Sequence, residues 1–334
     1  MLLPKQSKTI SPADMPSDYA EALQLWHGKP YHSLNHYLQN RFGEKIYKIA
    51  LNGGFTCPNR DGTLGSRGCI FCSGSGSGDF AAKRQETITK QIDEGISGLS
   101  SRKQVGKKFI AYFQSFTNTY APVSVLRPMY HEALSHPQVA MLSIATRPDC
   151  LPEDVITLIS ECNRIKPVII ELGLQTIHEN TAEFIRRGYP LSVFETALSQ
   201  LKEIGVEVVV HVIAGLPGET KEDFIQTIDY LAKQPIDGIK LQLLHILKGT
   251  DLAAYYPSDF LHILSKEEYL DWITTALTHL PEHIVIHRLT GDGPKNLLLA
   301  PLWSSRKREV LNSLHQKMKE ENLWQGKDKA RNGG

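Results

Sequence analysis

The sequence predicts an α/β fold, a partial (β/α)₆ TIM-like barrel with helical extensions at both ends, and three observations carry that expectation. From about residue 45, short β-branched runs alternate with longer segments whose apolar residues recur every three to four positions, the pattern of βα units around a parallel sheet. Six such units follow one another before the pattern changes near residue 300. A chain of 334 residues, 41% hydrophobic, is long enough to bury one barrel-sized core.

The elements follow in order. Residues 1–44 form an N-terminal extension in which SDYAEALQLWHG (17–28) and HSLNHYLQNRFG (32–43) read as helices that cap the barrel. Strands are expected at KIYKIAL (45–51), KKFIAYF (107–113), VAMLSIAT (139–146), PVIIELGL (167–174), VEVVVHVIAG (206–215) and GIKLQLLHIL (238–247), with an extra strand at HIVIHRL (283–289). Between them, 81–99, 122–136, 151–165, 192–205 and 221–234 carry helical periodicity. The core barrel thus spans 45–300. Residues 301–334 form a basic C-terminal segment, a terminal helix over 304–324 followed by a polar, frayed tail.

Composition excludes several classes. No run of eighteen apolar residues occurs and the N-terminus lacks a signal-peptide core, so no membrane association is expected and the cytoplasm is the expected location. A net charge of +1 gives no global attraction to nucleic acid, although residues 305–334 hold eight Lys/Arg against four Asp/Glu. Five cysteines are an odd number, and three of them fall within residues 57–72, which fits a metal or cluster site better than a disulfide framework. Cys150 and Cys162 have no role assigned by spacing, and Cys150 reads as a packed thiol.

The stretch CPNRDGTLGSRGCIFC (57–72) follows the first strand, where a parallel barrel carries its active-site loops. Thiolates favour zinc or iron–sulfur chemistry, and a structural zinc wants four protein ligands. Cys57, Cys69 and Cys72 supply three, enough to hold three irons of a [4Fe–4S] cluster and leave the fourth open. The alternative is a zinc knuckle; with no histidine between Ile46 and Tyr130, its fourth ligand would be an acid such as Asp61 or Asp79. The run SGSGSGDF (73–80) then reads as a loop wrapping closely around whatever is bound.

The pair Cys69-Ile70-Phe71-Cys72, the single upstream cysteine and the surrounding (β/α)₆ pattern resemble the radical S-adenosylmethionine superfamily. That resemblance implies a [4Fe–4S] cluster on the three cysteines, S-adenosylmethionine chelated at the open iron, and reductive cleavage to a 5′-deoxyadenosyl radical. The commonest family spacing leaves three residues in the first gap, whereas this chain has eleven. The longer gap resembles the branch of the Elongator catalytic subunit and the oxygen-independent coproporphyrinogen oxidases. NGGFTCPNRDGTLGSRGCIFC (52–72) resembles a small bacterial subfamily of Elongator-like radical proteins.

Further motifs fall in the order that the resemblance implies. In YFQSFTNTY (112–120), Gln114, Thr117 and Asn118 stand where the family receives the cofactor's amino group; turn-forming polar residues are the structural alternative. ATRPDCL (145–151) offers Arg147, with Pro148 and Asp149 suited to ending the strand and capping a helix. In ELGLQT (171–176), Glu171, Gly173 and Gln175 share one strand face; the resemblance implies cofactor contact for Glu171 and Gln175, against a satisfied core network. Arg187 in IRRGY (185–189) matches a family arginine that pairs with the cofactor carboxylate, while Arg186 and Tyr189 depart from the pattern. HVIAGLPGET (211–220) resembles the family's fifth-strand motif, which implies that Gly215 supports the adenine by close backbone approach and that Phe71 packs beside it. His211, His245, Lys248, Arg288, Asp292 and Lys295 are substrate-side candidates, with structural use equally open.

Together these imply a radical enzyme of the tRNA wobble-uridine side chain, with tRNA and an electron donor such as flavodoxin or ferredoxin as partners. The chain leaves no room for an acetyltransferase domain after the barrel, and the C-terminal basic segment reads either as a phosphate-contacting surface or as a solvated helix face. A radical enzyme of a small metabolite or tetrapyrrole, and a non-catalytic cluster or zinc module, are the competing readings.

Overall fold

Parallel strands need crossover segments of a dozen or more residues, and the spacing of the apolar runs supplies them. The computed structural model describes residues 16–76, 87–256, 261–291 and 293–328. They divide into two compact units, Phe42–Leu174 with Ile185–Val210 and the remainder.

In the first unit, β1 (Tyr47–Leu51), β2 (Phe109–Phe113) and β3 (Val139–Thr146) pair in parallel, followed by β4 (Val168–Gln175). The register sets Leu51 beside Phe113, Tyr112 beside Ser143 and Ala145 beside Glu171. Every residue of β2 is buried, as expected of a central strand covered on both faces. The crossovers are α3 (Ile88–Ser100), α4 (Val123–Ser135), α5 (Glu153–Ile165) and α7 (Leu191–Glu203). In α5, Glu153 and Asp154 occupy the first turn, where the helix dipole favours acids, and Val155, Ile156, Leu158, Ile159 and Cys162 form the buried stripe.

The second unit holds α1 (Tyr19–Leu25), α2 (Leu34–Phe42), the short α6 (Glu179–Phe184), α8 (Lys221–Leu231), α9 (Lys266–His279) and α10 (Lys307–Glu320). Its strands β6 (Gly238–Leu243) and β8 (Val285–Arg288) are parallel, and β7 (Ile246–Leu247) pairs with β9 (Leu298–Ala300) in antiparallel fashion. Helices α8 and α9 begin with reciprocal capping boxes, Thr220 with Asp223 and Ser265 with Glu268. The two terminal segments are stitched to each other. The Gln325 amide donates to the carbonyls of Pro281 and Ile284 and accepts from the His32 N–H, while Trp26 and Trp324 share a buried cluster.

With β5 (Glu207–Ala214), the large sheet runs β1-β2-β3-β4-β5-β6-β8, so the expected α/β class, the six strands and the extra strand all form. The sixth strand is shorter than expected. It stops at Leu243 because the Leu244 N–H turns to Ala214 and Ile246–Leu247 joins β9. Helices α6 and α9 were not expected from periodicity. The first part of the predicted 81–99 helix and the 329–334 tail lie outside the described residues. Among the described residues, no helix is long and apolar enough to cross a membrane.

Candidate active site

The cysteine loop leaves β1 and is folded tightly by its own backbone. The N–H groups of Arg60 and Asp61 both bond the Cys57 carbonyl, at 2.8 and 3.2 Å, and the Cys72 N–H bonds the Cys69 carbonyl at 3.1 Å. All five cysteines of the chain are free of disulfides; Cys57, Cys69 and Cys72 are half-buried, whereas Cys150 and Cys162 are buried.

The insert between the first two cysteines is anchored at several points. Asn59 Nδ2 donates to the Arg186 carbonyl at 2.7 Å and lies 3.4 Å from that of Arg187 and 3.5 Å from Cys69 Sγ. Arg60 Nη2 donates to the carbonyls of Cys72 and Ser73, at 3.1 and 2.7 Å, with its guanidinium 5.8 Å from the Phe116 ring centroid. Arg186 returns a bond to the Gly68 carbonyl, and the Ile70 N–H reaches that of Ile185. The turn that leads into α7 therefore braces the thiol loop directly.

These surroundings favour thiolate. A hydrogen bond with Cys72, the nearby Arg147 charge, the Asn59 amide and Arg60 pull the Cys69 thiol down to about 6, against the upward push of burial. Arg147 forks onto Asp149 at 2.9 and 2.7 Å; burial disfavours its charge, but the Asp149 bond and charge outweigh that and hold it protonated. Its guanidinium stands 5.1 Å from the centroid of the Tyr189 ring, and Arg187 stands 4.9 Å from the same ring. Tyr189, which departs from the family pattern, thus links the two arginines and donates its hydroxyl to the Gly173 carbonyl. Arg187 is 3% exposed and donates to the carbonyls of Tyr189 and Leu174.

The loop after β2 joins this group, since the Thr117 N–H bonds the Thr56 carbonyl next to Cys57 and the Gln114 N–H bonds that of Leu51. Asn118 is fully buried; its Nδ2 donates to the Ala145 carbonyl at 2.8 Å and its Oδ1 has no protein donor. Gln175, at φ +71°, likewise has a buried Oε1 without a donor. Phe116 and Arg186 also hold positive φ, at 58° and 57°, so non-glycine residues carry left-handed backbone in three of the motif segments. Glu171 is 1% exposed and its two oxygens receive Lys48, Ser143 and Tyr112. Both Glu171 oxygens thus have protein partners, the core network that the sequence left open beside cofactor contact. Lys48, Tyr112, Asn59 and Arg60 were missed in the sequence, although Lys48 is a lone charge within an apolar strand.

In the second unit, Gly215 has φ +81° and an added Cβ would meet Leu264 at 3.0 Å, so the position suits glycine alone. His211 is half-buried in β5, and Arg288 is half-buried at the end of β8. His245 is fixed by a 2.9 Å bond between Nε2 and Ser304 Oγ, with its ring pressed against Gly291 and Gly293. Lys248 and Lys295 are exposed, and Asp292 lies outside the described residues.

Among the described residues, no three His, Cys, Asp or Glu side chains converge on a single ion. Asp61 is exposed and its Oδ1 accepts the Thr63 N–H, and Asp79 lies outside the described residues. A cluster makes a different demand, because each thiolate meets its own iron and the three sulfurs need not share one point. Three thiols on one braced loop in cationic surroundings fit such a cluster, and the donor-less oxygen of Asn118 on the adjoining loop suits an ammonium-bearing cofactor.

Comparison with known proteins agrees. The chain matches the radical SAM superfamily model over residues 60–231 and the radical SAM C-terminal domain over 236–320. It belongs to the radical SAM superfamily and is a radical SAM enzyme. It is 42% identical to YtqA of Bacillus subtilis over 299 residues, covering 90% of this chain and 92% of that one. The tRNA uridine(34) acetyltransferase of Methanocaldococcus jannaschii is 26% identical over 56% of this chain and 34% of its own length. The solved Elp3 of Methanocaldococcus infernus superposes with TM-score 0.65 at 16% identity, over 84% of this chain and 64% of that one, which shows a shared fold.

Proposed function

We propose that Cys57, Cys69 and Cys72 hold a [4Fe–4S] cluster with one iron open to S-adenosylmethionine, and that the enzyme modifies the side chain of a tRNA wobble uridine. The braced thiol loop supports the first part. The second rests on one observation, the similarity to a tRNA uridine(34) acetyltransferase. When bound, the cluster and S-adenosylmethionine supply one-electron cleavage of the sulfonium and a radical that takes hydrogen from the substrate.

This chain's own residues have simpler tasks. The Asn118 oxygen accepts from the cofactor ammonium, and Phe71 packs beside its adenine. Arg147, Tyr189 and Arg187 form a stacked cationic wall that holds thiolate charge and excludes water from it. Glu171, with Lys48, Tyr112 and Ser143, fixes the interior of the sheet beneath these loops. The electron comes from a low-potential protein such as flavodoxin or ferredoxin.

The basic C-terminal helix contributes less than its composition implied. Lys317 pairs with Asp271 and Glu321, and Arg306 pairs with Glu309, while Arg308 and Lys319 of α10 are exposed and would meet phosphate. Comparison of modified nucleosides in tRNA from cells with and without the gene tests the substrate. Loss of one wobble-uridine derivative is expected, and an unchanged profile overturns the tRNA assignment.

A further inference from the structure

We infer that Asn59, inside the insert that separates Cys57 from Cys69, tunes the cluster by donating an N–H to the Cys69 sulfur; the inference rests on the cluster assignment above. The side chain is 5% exposed and its Nδ2 faces three acceptors, the Arg186 carbonyl at 2.7 Å, the Arg187 carbonyl at 3.4 Å and Cys69 Sγ at 3.5 Å. An amide nitrogen has two hydrogens; the short Arg186 bond takes one, and the other has the sulfur and the more distant Arg187 carbonyl within reach. The Arg186 bond orients the amide and holds its nitrogen within hydrogen-bond reach of the sulfur.

The change at the sulfur gives that hydrogen its role. As a thiol, Cys69 is itself placed to donate to the Arg186 carbonyl at 3.5 Å. Once the sulfur is bound to iron that donor is gone, and the Asn59 N–H is the partner facing it. A hydrogen bond to a ligand sulfur disperses its negative charge, and it does so more in the reduced cluster, which carries one more electron. Asn59 therefore favours reduction and raises the potential toward that of the electron donor.

The backbone opposite is shaped for this approach. Arg186 holds φ +57° and Gly188 φ +83°. A Cβ on Gly188 would lie 2.8 Å from Asn59 Oδ1 and 3.3 Å from Arg147 Nη2, so glycine there gives the amide room. Packing alone would not require the amide's Nδ2 to face both a carbonyl and a ligand sulfur. Asn59 is thus a positioning residue that acts through Cys69.

The test compares wild type with Asn59→Leu after anaerobic iron–sulfur reconstitution, using electron paramagnetic resonance during a redox titration. At a fixed poise the variant is expected to hold about tenfold less reduced cluster, a shift of about 59 mV to more negative potential for one electron. A second measurement needs no stable variant: in wild type labelled with ¹⁵N-asparagine, pulsed resonance of the reduced cluster should show a ¹⁵N coupling and an exchangeable proton coupling. Equal midpoint potentials, or a wild-type spectrum without the ¹⁵N coupling, overturn the inference while leaving the cluster assignment intact. A wild type that takes up no iron overturns the cluster assignment and the inference with it.

Discussion

Lys48 Nζ on β1 lies 2.5 Å from Oε1 of Glu171 on β4 and 4.5 Å from the centroid of the Tyr112 ring on β2 between them. Ser143 on β3 donates to the same carboxylate oxygen at 2.9 Å, and the Tyr112 hydroxyl donates to the other at 2.8 Å. One buried carboxylate therefore ties four consecutive strands together through side chains. Glu171→Ala removes the acceptor and leaves an ammonium and two hydroxyls facing a void. We expect a loss of about 3–5 kcal/mol in stability, the range for breaking a buried pair by removing one partner. Urea unfolding of the cluster-free protein measures it; a loss below 1 kcal/mol would show that solvent replaces Glu171 without difficulty.

Part of this network was legible beforehand. A lysine in KIYKIAL and a glutamate in VIIELGL each break an apolar run, and alternation places Glu171, Gly173 and Gln175 on one face. The pairing itself was hidden, because it joins residues 123 apart through strand registers that no local pattern encodes. The same limit hid Asn59, whose carbonyl partner lies 127 residues onward, although the insert around it was the feature that singled out the loop. Helix α9 was missed for a different reason: Trp272, Ile273, Thr274 and Thr275 blur its helical period, while the capping box of Ser265 and Glu268 was a readable start signal.

The five thiols are expected to separate sharply in reactivity. Burial, then the Asp149 charge, pushes Cys150 up to about 12, and burial, then the Glu161 charge, pushes Cys162 up to about 11, whereas Cys69 is drawn down to about 6. At pH 7.5 Cys69 is mostly thiolate, and the other two are almost wholly protonated as well as buried. Brief treatment of the cluster-free protein with iodoacetamide, followed by peptide mass spectrometry, should find Cys69 alkylated while Cys150 and Cys162 are spared. Early labelling of Cys150 would contradict its placement under the β3–α5 turn.

Cluster loading should follow the same division. Alanine at Cys57, Cys69 or Cys72 removes one iron anchor, and no other described thiol is positioned to replace it, since Cys150 and Cys162 are buried. After anaerobic reconstitution each of these variants should retain less than a quarter of wild-type iron, and none should release 5′-deoxyadenosine from S-adenosylmethionine with dithionite. Cys162→Ala should load and cleave as wild type does. Full iron in Cys57→Ala would remove that residue from the ligand set.

Stability should fall on acidification for a reason located far from the thiols. His36 is pushed down to about 4 by burial and by His32 and His27 beside it, and His315 to about 4 by burial and by Lys29. His315 Nε2 also pairs with the Tyr31 hydroxyl at 3.1 Å, and His36 Nε2 with the Asn40 amide at 2.8 Å. Both folded values lie below the roughly 6.5 of an unfolded histidine, so between about 6.5 and 4 the unfolded chain binds protons that the folded chain refuses. Their contribution is fully present above pH 6.5 and is lost as the pH falls toward 4. Denaturant unfolding of the cluster-free protein at pH 7, 6 and 5 should give a falling free energy, and His315→Gln, which keeps a polar group near Tyr31, should lessen the slope by up to one proton. A slope identical to wild type in that variant would mean that His315 already titrates normally in the folded state.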